Sequence, residues 1–297
     1  MNNNDKSLIY GGLAVLFWST IATAFKVALS ELTPGQLLFI ASITSVIILF
    51  IITLFERSTS ELFDFSLKSL ANSAILALVN PFIYYLLLLK AYELLPAQVA
   101  QPLNMIWPII LVFLSVPLLK KSVDRRSALA LIISFLGVYI VSSQGSPFST
   151  GGANLKGVLL ATGSSLFWAL YFIFNLRDKR RESIKLLTNF IFASIYMAVF
   201  LLVTDGFGPL SNKGILSGIY VGVFEMGLAF YLWLKALNLA SSPARVTNLV
   251  YLAPFISLIF ITIILHEKIY ITTPFGLILI IGGIIYQNTG KKIKTNS

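Results

Sequence analysis

Glu225 is the residue whose position most needs explaining. It lies in Gly222-Val223-Phe224-Glu225-Met226-Gly227, near the middle of an apolar run over 214–238. A carboxylate facing lipid at that depth is costly, so Glu225 is expected to face the bundle interior or a water-filled cavity. There it can bind a substrate ammonium or exchange protons, which makes it the proton-coupling candidate. The bland alternative is a protonated packing residue between helices. Functional use is preferred, because ionisable groups inside a membrane segment are rarely kept for packing alone.

Other polar groups recur at similar depth. Asn80 stands 145 residues before Glu225 and is followed by Pro81. A proline there removes a helical hydrogen bond and frees a carbonyl. Tyr84 lies one turn on. Gln101, Asn104 and Pro108 fall at i, i+3 and i+7, and Asn248 and Tyr251 similarly precede Pro254 and Phe255. Each set predicts one polar stripe along a helix. Amides can both donate to and accept from a zwitterion, although interhelical hydrogen bonding would equally use them. Ser164, Trp168, Tyr171 and Asn175 share a further face, and Trp18, Ala22 and Lys26 another. Trp18 and Trp168 occupy matching places and can sandwich an apolar side chain, act as a gate, or simply pack. Lys26 is open between a substrate carboxylate and an inward-facing acid. The candidate substrate-binding set is therefore Trp18, Lys26, Asn80, Tyr84, Gln101, Asn104, Trp168, Tyr171, Asn175, Glu225, Asn248 and Tyr251.

These residues need long apolar helices to position them. With 57% hydrophobic and 11% charged residues in 297, the chain lacks the charge to cover a soluble surface. It reads as an all-α integral membrane protein. Ten runs approach the ~20 residues a span requires: 8–29, 34–55, 71–93, 97–119, 127–143, 155–175, 186–204, 214–238, 243–265 and 273–289. The first is expected to be a retained helix, not a cleaved signal. Pro34, Pro96, Pro243 and Pro274 stand near helix starts, where a missing N–H costs little.

The net charge of +10 does not point to nucleic acid, because the basic residues cluster in short loops and report orientation. One set of loops carries 15 of them: Lys6, Arg57, Lys68, Lys120, Lys121, Arg125, Arg126, Arg177, Lys179, Arg180, Arg181, Lys185, Lys291, Lys292 and Lys294. The opposite set carries 4: Lys90, Lys156, Lys213 and Lys268. The bias predicts that both termini lie in the cytoplasm, with the protein in the cytoplasmic membrane. Lys90 and Lys235 lie close enough to helix ends to snorkel.

The chain also repeats itself. Pro108 is followed 13 residues later by Lys121 and 29 later by Gly137; Pro254 is followed 13 later by Glu267 and 29 later by Gly283. Leu89-Lys90-Ala91 matches Leu234-Lys235-Ala236, and Leu16-Phe17-Trp18 matches Leu166-Phe167-Trp168. Five spans per half is an odd number, so the halves are expected to form an inverted pair around a central cavity. The units are 1–145, 154–290 and a basic tail, 291–297.

These features together resemble the EamA-type branch of the drug/metabolite transporter superfamily. The resemblance rests on the two five-helix repeats, the Phe17-Trp18-Ser19-Thr20 stretch and the spacing of Pro254, Glu267 and Gly283. It implies outward movement of small metabolites, notably amino acids, through a cavity between the repeats. The family glutamate falls on Glu267, where the first repeat has Lys121. Glu267 sits at a helix end, which favours capping or pairing with Lys268.

The sequence therefore points to a secondary transporter working by alternating access. An amino acid or related zwitterion is the leading cargo, with a lipophilic cation or drug the alternative. No Walker motif is present, so ATP is not expected to drive it directly. No cofactor is expected. With no cysteine and only His266, thiolate chemistry and multi-histidine metal sites are excluded. A membrane enzyme would want a His/Asp pair or clustered carboxylates, which no span contains. A non-transporting receptor or assembly protein would leave Glu225 unexplained. Gly214, Gly218 and Gly222 allow close helix contact, either between the halves or in a homodimer; a monomer and a homodimer both stay open.

Overall fold

The computed structural model describes residues 2–58, 66–119, 125–146, 153–175, 177–204, 206–240, 246 and 248–288. Lys121, Pro243, Arg245 and the tail 291–297 lie outside them. The described residues are helical, with no strand among them. In chain order the helices are α1 (Asn3–Leu29), α2 (Pro34–Phe55), α3 (Leu67–Leu94), α4 (Ala97–Asn104), α5 (Trp107–Leu119) and α6 (Arg125–Ser142). Then come α7 (Leu155–Asn175), α8 (Glu182–Val203), α9 (Asn212–Leu239), α10 (Val250–Leu265) and α11 (Thr272–Asn288). Six are long and apolar enough to cross a membrane: α1, α2, α3, α7, α8 and α9. Shorter apolar helices occupy Ala128–Ser142, Val250–Leu265 and Thr272–Tyr286.

Local chemistry sets the ends. Thr33 and Gln36 form a reciprocal capping box at the start of α2, with Pro34 at the first helical position. Asn2, Ser66 and Ser211 cap α1, α3 and α9 by accepting from backbone N–H groups. Exposed His266 ends α10 with φ 53°, a left-handed C-cap.

The run at 97–119 is not one helix. A turn at Met105–Ile106 separates α4 from α5, so Pro108 does not continue the stripe of Gln101 and Asn104. The cause lies in Pro102 and Pro108, which have no N–H to carry a helical ladder through this short stretch.

Helices α3 and α9 are each interrupted at mid-length by a π-helical segment, Leu78–Ile83 and Val221–Ala229. Asn80 lies in the first and Glu225 in the second. Asn80 has extended backbone (φ −153°, ψ 124°) and precedes Pro81, so the ladder breaks there. In the second, the Gly222 carbonyl accepts from Ser45 of α2 as well, at 2.9 Å. Widened turns of this kind recur at functional sites.

First-half helices pack mainly on second-half helices. The principal pairs are α1 with α9 and α10, α2 with α8 and α9, α3 with α7, and α6 with α11. Glycine permits the closest approaches. A Cβ on Gly222 would lie 2.6 Å from the Ala41 carbonyl oxygen, and one on Gly137 would lie 2.6 Å from that of Gly276. Gly214 and Gly218 likewise face Leu32 and Ile40. Gly214, Gly218 and Gly222 of α9 thus pack the two halves of the chain together.

Candidate functional site

A cavity lies where α1, α3, α4, α7, α9 and α10 converge. From the first half come Trp18, Ile21, Ala22 and Phe25 of α1, Tyr84, Leu88 and Tyr92 of α3, and Gln101 and Asn104 of α4. Met105 and Trp107 close one side, and Trp168, Phe172, Glu225, Trp233 and Val250 supply the other. Eight of the sixteen are aromatic, one is a carboxylate, and none is Lys or Arg.

Glu225 is 6% exposed. Its Oε1 accepts a 2.6 Å hydrogen bond from the Tyr85 hydroxyl, while Oε2 is buried without a partner. Tyr85 comes from α3, is fully buried, and packs edge-on to Phe25 and Tyr84. The sequence reading missed it. The signal that could have found it is its place one residue after Tyr84, turned toward the facing helix.

A second polar chain runs from Tyr84 through Asn104 to Ser164. The Tyr84 hydroxyl donates to Asn104 Oδ1 at 3.1 Å, and Asn104 Nδ2 donates to Ser164 Oγ at 2.8 Å. This ties α3, α4 and α7 together at the cavity wall, which Tyr84 and Asn104 line. The Trp168 indole N–H is also buried without a partner. Its ring lies 5.0 Å from that of Tyr84 and 5.2 Å from that of Phe230.

Trp18 and Trp168 do not sandwich an empty slot. Phe230 stands between them, its ring 6.5 Å from Trp18, and Trp233 lies 5.1 Å from Trp18. This aromatic layer separates the cavity from a smaller recess lined by Tyr171, Asn175 and Leu234. In that recess Tyr171 accepts from Asn175 at 3.0 Å and from Asn189 at 3.3 Å.

Of the twelve candidate residues, six line the main cavity: Trp18, Tyr84, Gln101, Asn104, Trp168 and Glu225. Tyr171 and Asn175 reach only the adjoining recess. Asn80 is buried beside the break in α3 and is not on the wall. Tyr251 is buried off the wall, and Asn248 is exposed. Lys26 is directed away. Its Nζ donates to the Tyr92 carbonyl at 2.8 Å and the Leu95 carbonyl at 3.2 Å, at the end of α3. Cations suit the unpaired carbonyls of a helix C-terminus.

Lys26 opens onto a wider cleft that also carries Glu93, Gln98, Glu267 and Lys268. Glu267 caps α4 by accepting from the Ala97 N–H at 2.9 Å and the Gln98 N–H at 3.4 Å. Gln98 in turn donates to the Lys268 carbonyl and accepts from Tyr270 and Thr273. These groups bond one another and tie α4 to the connection before α11.

The opposite end of the bundle is held by Glu56, just beyond α2. It accepts from Tyr231 at 2.6 Å, Ser183 at 2.7 Å and Lys235 at 2.9 Å. Burial pushes the Glu56 pKa up, but these hydrogen bonds outweigh it and hold it below the ordinary value. Lys235 is therefore bonded at the helix end, and Lys90 pairs with Glu93 at 2.5 Å on the surface.

A bundle with apolar helices of membrane length, and a buried carboxylate in an aromatic cavity between its halves, is the architecture of a membrane carrier. The profile of the EamA-like transporter family matches residues 5–143 and again 155–289, and the chain belongs to that family. It is a multi-pass membrane protein. It is 28% identical over 222 residues to the uncharacterized transporter YvbV of Bacillus subtilis (strain 168), covering 73% of this chain and 71% of that one. It is 24% identical over 298 residues to an uncharacterized transporter of Archaeoglobus fulgidus, covering 97% and 99%. A solved crystal structure superposes with TM-score 0.67 at 16% identity, covering 96% of this chain and 97% of the other, and so shares the fold.

Proposed function

We propose that the protein is a secondary transporter that moves a small metabolite outward across the cytoplasmic membrane by alternating access, with an amino acid or related zwitterion as cargo. The observation that carries this reading is Glu225: buried at mid-helix, on the wall of a cavity between the halves, with one oxygen held by Tyr85 and the other unpartnered. A carboxylate so placed calls for a proton or a cationic group, and no wall residue is a Lys or Arg. Exchange of a proton for a substrate ammonium at this oxygen is a coupling step.

The reading includes ten spans in two inverted five-helix repeats, 1–145 and 154–290, with both termini cytoplasmic. The matched π-helical segments around Asn80 and Glu225 support the repeat. The concentration of lysine and arginine in one set of loops supports the orientation. A second reading, export of lipophilic cations, is favoured by the eight aromatic wall residues, which suit a large apolar cation.

The test is counterflow of radiolabelled amino acids in proteoliposomes, wild type beside Glu225→Gln, across a pH series. Saturable wild-type flux whose pH dependence vanishes in the variant supports the reading. Saturable flux unchanged by the substitution makes Glu225 a packing residue. Flux of lipophilic cations without amino acids selects the second reading, and no flux of any solute by folded protein overturns transport.

A further inference from the structure

Two residues of the cavity wall each carry a buried polar atom with no hydrogen-bond partner, and the two atoms are opposite in kind. Glu225 Oε2 is a carboxylate oxygen and Trp168 Nε1 is an indole donor. An indole N–H only donates, and an ionised carboxylate only accepts. Leaving either unbonded away from water costs as much as a lost hydrogen bond, so both are suited to a partner that enters the cavity. A lipophilic amine would satisfy Glu225 and leave the indole N–H unbonded. A zwitterion carries a partner for each, an ammonium for the carboxylate and a carboxylate for the indole N–H.

We propose that Trp168 is the specificity-determining residue for the carboxylate end of the substrate, its indole N–H donating to a carboxylate oxygen while Glu225 Oε2 receives the ammonium. The inference rests on the reading of this cavity as the substrate site. The indole is held in place from several sides: its ring meets those of Tyr84, Phe230, Trp107 and Tyr171 at 5.0, 5.2, 6.3 and 6.3 Å. A ring clamped in this way presents its N–H in one direction, so donor geometry is set before a ligand arrives. Gln101 lines the same cavity and carries a second amide donor. The lysine that composition offers for this task, Lys26, is bonded to the Tyr92 and Leu95 carbonyls and is absent from the wall. Carboxylate recognition thus falls to neutral donors. The two poles sit on α7 and α9, so a bound zwitterion bridges two helices that meet at the cavity.

The experiment uses the full chain in proteoliposomes, with phenylalanine and leucine tested against phenethylamine and isoamylamine, the same bodies without the carboxylate. Competition against labelled phenylalanine or leucine is measured for wild type and Trp168→Phe, which keeps the ring stacking and removes the N–H. Wild type is expected to prefer each amino acid over its amine by about tenfold or more, the worth of a hydrogen bond to a charged group. In the variant that preference collapses while the amine's own inhibition stays within about twofold. An unchanged preference in Trp168→Phe overturns the proposal, and so does a wild type that binds amine and amino acid equally. If Trp168→Phe does not fold, the amino acid methyl esters decide on wild type alone: equal competition by ester and free acid overturns it. Saturable exchange of some other solute, with neither compound of a pair competing, overturns the Trp168 assignment and leaves transport standing. No exchange of any solute removes both.

Discussion

Tyr85 Oη lies 2.6 Å from Glu225 Oε1, and this hydrogen bond joins α3 in the first half to α9 in the second, next to the π-helical segment of each. It is the only protein hydrogen bond to this carboxylate among the described residues, since Oε2 has none. The bond holds one oxygen against the bundle and leaves the other free.

Tyr85→Phe should therefore destabilise the protein by about 1–3 kcal/mol, because it strands a buried carboxylate oxygen. In Glu225→Gln the same tyrosine substitution should cost less. A double-mutant cycle on unfolding in detergent checks this. Additive effects would mean that the bond seen here contributes nothing in the membrane protein.

Gly222 and Gly282 should respond oppositely to alanine. A Cβ on Gly222 would lie 2.5 Å from Thr44 Cβ and 2.6 Å from the Ala41 carbonyl oxygen, both on α2. Forcing α2 and α9 apart is expected to cost about 1–3 kcal/mol or more. At Gly282 nothing lies within 4 Å, so alanine should be neutral or gain up to about 1 kcal/mol of helix propensity. Thermal melting of the two variants side by side measures the difference.

Glu267→Ala should cost about 1 kcal/mol by removing the cap of α4. It leaves the Ala97 N–H without the oxygen that accepts it at 2.9 Å. The counterflow KM should change little, because the cap lies off the cavity wall. A KM shift of tenfold would instead place Glu267 in the transport path.

Acid should loosen the end of the bundle that carries Glu56. Hydrogen bonds from Tyr231, Lys235 and Ser183 outweigh burial and hold the Glu56 pKa below its ordinary value. Those from Arg180 likewise outweigh burial and lower that of Asp178. A depressed carboxylate pKa contributes stability that is present above the unfolded-state value and is lost as pH falls through the folded one. Melting in detergent should therefore decline below about pH 4, with a shallower acid limb in Glu56→Gln. Glu56 is partly exposed, so its effect should stay under about 1 kcal/mol. An identical acid limb in the variant would remove Glu56 from this account.

Much of the site could be read from the chain, within limits that periodicity sets. Glu225 stood out because charge is costly at that depth, and Trp18, Tyr84, Gln101, Asn104 and Trp168 were selected on the same helical spacing. Asn248 was selected by that logic too, yet it is exposed, because spacing identifies a face without saying what the face meets. Lys26 lay on the Trp18 face, but its long stem carries the ammonium past the cavity to the carbonyls ending α3.

By itself the sequence determined what depends on composition and local chemistry: apolar helices of membrane length, prolines near their starts, a carboxylate at mid-span in Glu225, and the absence of cysteine. Only the tertiary structure decided that Tyr85 holds Glu225, that Phe230 stands between the two tryptophans, and that Glu267 caps a helix from the other half. The physical reason is that a helix in lipid is rotated and placed by its packing against neighbours. A residue's partner is therefore a property of two helices that one sequence segment does not contain.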